Sequence, residues 1–115
     1  MTPVPLDLAG RKVLVVGLAR SGAAAARLCA SRGARVTVTD RRAATELAGP
    51  MRELSAAGAA FALGGHDERD FTSADLVVVS PGVPLSLAEI AEARRQGVPA
   101  LAEGELAWRF LGSTP

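Results

Sequence analysis

Apolar positions along this 115-residue chain fall into two kinds of block that alternate. One kind is a short apolar or β-branched run closed by a glycine, a proline or an acid. The other is longer, with apolar and small residues three and four apart. Val13, Leu14, Val15 and Val16 form an unbroken run, and Leu76, Val77, Val78 and Val79 form another. Such runs suit central parallel strands covered on both faces. Arg35-Val36-Thr37-Val38-Thr39-Asp40 alternates valine with threonine, and Ala60-Phe61-Ala62-Leu63 is a shorter apolar run, so both read as strands. Residues 98–102 supply a fifth.

Helical spacing fills the intervals. Residues 21–32 place Gly22, Ala25, Ala26 and Cys29 on one stripe, small enough for close approach to a sheet, and Gly33 ends the helix. Residues 46–57 predict a weaker helix, interrupted by Gly49-Pro50 and closed by Gly58. Residues 87–96 put Leu87, Ile90 and Ala91 on one face, with Gly97 as the end; Ser86 and Glu89 have the spacing of a capping box. Residues 103–111 predict a last helix with Leu106, Trp108 and Phe110 inward. Residues 1–10, with Pro3 and Pro5, read as a lead-in, residues 64–67 as a loop and residues 112–115 as a linker. The alternation predicts one α/β domain over residues 1–115. Its fold is a Rossmann-like five-stranded parallel sheet of order 3-2-1-4-5, with helices on both faces and right-handed crossovers. That order places residues 17–22 and 80–82 on either side of one crevice, at the carboxyl ends of the strands.

Composition acts mainly by exclusion. Hydrophobic residues make up 49%, so a packed core is expected. Aromatics are 3% with no tyrosine, which argues against a stacking platform for single-stranded nucleic acid. A formal net charge of +1 gives no electrostatic case for DNA or an acidic membrane. No apolar run approaches the roughly 20 residues of a membrane span, and no basic-then-apolar leader is present. Cys29 is the single cysteine, which excludes an internal disulfide and fits a reducing cytoplasm; it reads as packing. The expectation is a cytoplasmic domain with neither nucleic acid nor membrane as partner.

The candidate chemistry sits at Gly17-Leu18-Ala19-Arg20-Ser21-Gly22. A tight turn from a strand into a helix aims unpaired backbone N–H groups and the positive end of the helix dipole at one point, which suits a phosphate. The pattern is the GxGxxG fingerprint with Ala19 at the middle position, where glycine normally lets a pyrophosphate come close. Asp40 stands where an acid meets the adenosine ribose in the NAD pattern, and Arg41 could serve as a 2′-phosphate partner for NADP. On these residues alone a nucleotide is favoured, NAD only weakly, and Gly17 and Gly22 could serve turn geometry and packing. His66, the only histidine, lies in a glycine loop without a partner at catalytic spacing. Such a residue is more often solvated or capping than catalytic. No residue is assigned a catalytic or metal-binding role.

Four stretches change the balance: Val13-Leu14-Val15-Val16-Gly17-Leu18-Ala19-Arg20-Ser21-Gly22, Val36-Thr37-Val38-Thr39-Asp40-Arg41-Arg42, Asp75-Leu76-Val77-Val78-Val79-Ser80-Pro81-Gly82-Val83, and Glu103-Gly104-Glu105-Leu106. With them the chain resembles the N-terminal domain of the Mur ligases, above all the branch that adds D-glutamate. The Ser-Pro-Gly-Val after an apolar strand, followed by Gly-Glu-Leu before a linker, is far more specific than the glycine turn. An NAD domain has no reason to carry both.

The resemblance implies that the domain holds the UDP part of UDP-N-acetylmuramoyl-L-alanine. Arg20 and Ser21, within the turn Gly17, Ala19 and Gly22, fall where the family contacts the diphosphate. Asp40, Arg41 and Arg42 fall where it holds the uracil: a carboxylate can accept from the imide N–H and an arginine can donate to a ring carbonyl. Ser80, Pro81 and Gly82 form the facing side, with Gly82 letting the nucleotide pass close to the backbone. The family often has Thr in place of Arg41 and Gly in place of Ala19. The resemblance also implies ATP and magnesium in the full-length enzyme, an acyl phosphate, and attack on it by D-glutamate. This sequence holds no Gly-Thr-Asn-Gly-Lys type loop and no third domain. The expectation is therefore a domain of a longer ligase, with the remaining ligase domains as partners, no cofactor of its own and no catalysis alone. The alternative is an NAD(P)-binding domain of a dehydrogenase or regulatory module.

Overall fold

A computed structural model describes residues 8–18 and 20–107. In chain order it contains β1 (Lys12–Val16), α1 (Arg20–Ser31), β2 (Arg35–Asp40), a 3-10 turn (Ala44–Glu46), α2 (Ala48–Ala56) and β3 (Ala60–Leu63). There follow α3 (Glu68–Thr72), β4 (Leu76–Val79), α4 (Ala88–Arg95), β5 (Ala100–Ala102) and α5 (Glu103–Ala107). The strands form one parallel sheet in the order β3-β2-β1-β4-β5, as the hydrophobic pattern predicts.

Strand alternation sorts the side chains into two cores. Val13, Val15, Val36, Val38, Leu76 and Val78 face one way, onto Ala26 and Cys29 of α1, Leu54 of α2 and Leu106 of α5. Leu14, Val16, Val77 and Val79 face the other way, onto Phe71 of α3 and Ile90 and Ala93 of α4. β1 and β4 are covered on both sides, which is why their sequences are unbroken apolar runs. Each valine or leucine so buried contributes about 1.5–3 kcal/mol of transfer free energy. The stripe Gly22, Ala25, Ala26 and Cys29 is buried as expected. Burial pushes the Cys29 thiol up to about 11, so it packs as a small hydrophobe.

Three local expectations are corrected. Gly49-Pro50 does not interrupt a helix: α2 starts at Ala48, so Pro50 lies in the first turn. There its missing N–H has no intrahelical partner to lose. The capping box expected of Ser86 and Glu89 is not formed, because α4 starts at Ala88 with Leu87 at the cap position and no side-chain cap. Leu87 packs against the second core and donates its N–H to the Pro84 carbonyl at 3.1 Å, which carries the turn past the capping spacing. α3 was not foreseen. Asp67 caps it by accepting the Arg69 N–H at 2.9 Å, and Phe71 anchors it fully buried. Leu106 is buried as expected. The expectations for Trp108, Phe110, residues 1–7 and residues 112–115 lie outside the described residues.

Candidate functional site

Parallel register brings three strand ends into one row. Val16 pairs with Thr39 on one side and Val79 on the other, so Gly17, Asp40 and Ser80 follow side by side. Gly17 leaves the sheet with φ +96°, a conformation that favours glycine, while its N–H still donates to the Thr39 carbonyl at 2.8 Å. The buried Ser80 hydroxyl donates to the Gly17 carbonyl at 2.9 Å and fastens the turn to β4. Gly22 of α1 packs directly on this bond: a Cβ there would overlap the Gly17 carbonyl oxygen and lie 2.7 Å from Ser80 Oγ. The two outer glycines of the fingerprint thus hold the start of α1 against the strand ends. Gly22 lies beneath the turn and does not line the crevice.

Asp40 ties the loop after β1 to the loop after β2. Its Oδ2 accepts the Leu18 N–H at 2.7 Å and Arg42 Nη2 at 2.9 Å. Its Oδ1 accepts the Arg42 N–H at 2.8 Å and Arg42 Nε at 3.1 Å. Burial works to raise this carboxyl's pKa. The hydrogen bonds from the Arg42 side chain and from the Leu18 and Arg42 amides, with the Arg42 charge, outweigh it and bring the value down to about 2. Asp40 is therefore an ionised carboxylate with both oxygens engaged by this chain's own donors. Arg41 next to it has no salt-bridge partner among the described residues.

These groups border a crevice of about 320 Å³, within the usual range for small-molecule sites. Gly17, Asp40, Arg41, Arg42, Ser80, Pro81 and Gly82 line it, all expected from the sequence. Ala19 and the side chains of Arg20 and Ser21 lie outside the described residues; the backbone of Arg20 and Ser21 opens α1. His66, which the sequence suggests is solvated or capping, also lines the crevice, together with Val83, Pro84 and Leu87, which carry no site expectation. The signal for His66 was topological: β3 ends at the same edge as β2, so the loop after it opens beside Asp40. Among the described residues no group of three or more His, Cys, Asp or Glu side chains could hold a metal ion. No helix among them is long and apolar enough to cross a membrane.

Residues 11–102 match the family model described as Mur ligase MurD-like, N-terminal domain. The chain belongs to this family. It is 62% identical, over 95% of its length, to the UDP-N-acetylmuramoylalanine–D-glutamate ligase of Anaeromyxobacter dehalogenans, and covers 23% of that protein. Over 92% of its length it is 52% identical to the ligase of the same name from Geobacter metallireducens, covering 24%. It thus spans about a quarter of the length of the curated relatives it matches. A solved pseudomurein peptide ligase type C from Methanothermus fervidus superposes with a TM-score of 0.68 at 25% identity, over 84% of this chain and 20% of that one. SirC, a precorrin-2 dehydrogenase, superposes with a TM-score of 0.61 at 24% identity, over 86% of this chain and 48% of that one. That second likeness is one of fold alone. A dehydrogenase shares the fold, so the fold alone does not separate the two readings; membership of the MurD-like family favours the ligase.

Proposed function

We propose that this domain holds the UDP part of UDP-N-acetylmuramoyl-L-alanine within a cytoplasmic ligase that joins D-glutamate to it during peptidoglycan precursor synthesis. The observation that carries this reading is the crevice at the row Gly17, Asp40 and Ser80, in a chain of the MurD-like family. The phosphate end is assigned to the start of α1. Because the Leu18 N–H is taken by Asp40, the amides left for an anion are those of the first helical turn, including Arg20 and Ser21. The base end is assigned to Arg41 and the apolar wall of Val83, Pro84 and Leu87. Asp40 acts as the tie that shapes both ends, and the reading needs no ligand bond to it. An NAD domain would use this acid to accept from the ribose, which its filled oxygens do not favour.

Among the described residues there is no group of three or more metal-ligating side chains, and the buried carboxylate of the crevice is engaged. Activation of the substrate by ATP is assigned to the remaining domains of the ligase, with this domain gripping the nucleotide handle. Calorimetric titration with UDP, UDP-N-acetylmuramoyl-L-alanine and NADH tests the reading. The uridine compounds are expected to bind and NADH is not; NADH binding without uridine binding would overturn it.

A further inference from the structure

A second hollow, of about 300 Å³, lies at the opposite end of the sheet, by the amino ends of β1 and β2. Its floor follows from strand alternation. Val13, Val15, Val36 and Val38 face the core that contains α1, so Lys12, Leu14, Arg35 and Thr37 face the side of α3. Only five residues long, α3 anchors through Phe71. Leu14 is buried in the same core as Phe71, while Lys12 and Arg35 stay exposed. Asp70 of α3 and Ser73 just after it form the facing wall.

Lys12 and Arg35 are register partners on strands about 4.8 Å apart. Like charges directly opposite each other on neighbouring strands cost stability. Among the described residues Arg27, Arg42, Arg69 and Arg95 are paired with carboxylates, whereas Lys12 and Arg35 are in no ion pair. Asp75 accepts the Lys12 backbone N–H at 2.8 Å and makes no ion pair with its ammonium. Asp70 lines the same hollow and is also in no ion pair; Arg69 beside it is held by Asp67 at 3.0 Å. One hollow thus contains two cations on its floor and one carboxylate on its wall, too far apart to satisfy each other. The Thr37 and Ser73 residues lie between them in the lining.

We propose that this hollow is a second ligand site, which takes a small phosphorylated amine. Lys12 and Arg35 hold the phosphoryl oxygens, the first as a point charge and the second as a planar fork. Asp70 receives the ammonium, and the hydroxyls of Thr37 and Ser73 serve the rest of the molecule as donors or acceptors. Two positive charges and one negative charge complement a phosphate dianion joined to an ammonium. A ligand with phosphate alone would leave Asp70 unmatched beside it. The site lies at the other end of the strands from the row Gly17, Asp40 and Ser80, and it does not rest on the UDP reading.

The test is an NMR titration of the protein with glucosamine 6-phosphate and with glucose 6-phosphate. These probes share a phosphate and a ring, and differ in an ammonium against a hydroxyl at one carbon. Glucosamine 6-phosphate is expected to shift the amides of Lys12, Thr37, Ser73 and Ala74 saturably. It should bind about three- to fivefold tighter than glucose 6-phosphate, the scale of one exposed ion pair. Asp70→Asn should bring that ratio close to one. Lys12→Met and Arg35→Gln should each weaken both probes severalfold. Arg52→Gln removes one exposed charge from α2, which packs on the other face of the sheet, and should change neither. Shifts gathered at Gly17 and Ser21 instead would overturn the proposal. So would equal affinity for the two probes in the wild type, or affinities indifferent to Lys12→Met and Arg35→Gln.

Discussion

Gly22→Ala isolates the contact on which the site geometry depends. The added methyl would overlap the Gly17 carbonyl oxygen and stand 2.7 Å from Ser80 Oγ and 3.0 Å from the Gly17 carbonyl carbon. Two of these three neighbours are backbone atoms, which cannot swing away as a side-chain tip can. Overpacking of this kind costs about 1–3 kcal/mol. Displacing the Ser80–Gly17 hydrogen bond adds about 1 kcal/mol. Alanine returns roughly 1 kcal/mol of helix propensity. The net is a loss of about 1–3 kcal/mol, or roughly 5–15 °C in Tm for a domain of this size. Gly49→Ala is the control: in α2 a Cβ there meets nothing within 4 Å. It is expected to leave stability unchanged or slightly raised. Urea unfolding should show a lower midpoint for Gly22→Ala with the slope unchanged. A Gly22→Ala midpoint equal to that of Gly49→Ala would refute the close-packing argument.

Three further outcomes follow from the same geometry. Asp40 titrates at about 2 when folded, against 3.8 for the ordinary group. Its contribution of about 2 kcal/mol is present above pH 4 and lost as the pH falls toward 2. Acid unfolding should show this, and Asp40→Asn should flatten that part of the curve. Ser80→Ala removes the bond from β4 to the Gly17 carbonyl and should cost about 1 kcal/mol in urea unfolding while weakening UDP binding. Cys29, fully buried with its thiol raised to about 11, should react with a thiol reagent only as the domain unfolds. Modification at the rate of a free thiol in the native state would contradict its place in the core.

The sheet was legible because burial on both faces leaves an unbroken run, as in Val13 to Val16, and because β2 declares itself by alternating valine and threonine. The strand ends then located the crevice through topology alone. α3 was not legible: five residues with Phe71 as the sole buried one show no helical period. The start of α4 was misplaced because Ser86 has the chemistry of a cap, while packing of Leu87 decides the boundary. The engagement of Asp40 was hidden for another reason. One of its partners, the Leu18 N–H, lies 22 residues away and meets it only when β1 and β2 pair. An acid at a strand end looks like a ligand acceptor in the sequence; in the fold it lines the crevice and also ties two loops together. His66 shows the converse: unremarkable in its glycine loop, it becomes a wall of the crevice once β3 lies beside β2.

The central claim is that the row Gly17, Asp40 and Ser80 receives a uridine diphosphate. Amide chemical shifts followed by NMR during titration with UDP test it most directly. The expected shifts fall at Gly17, Leu18, Ser21, Arg41, His66 and Gly82, with NADH leaving them in place. Shifts of these amides by NADH and not by UDP, or UDP shifts gathered elsewhere on the sheet, would contradict it.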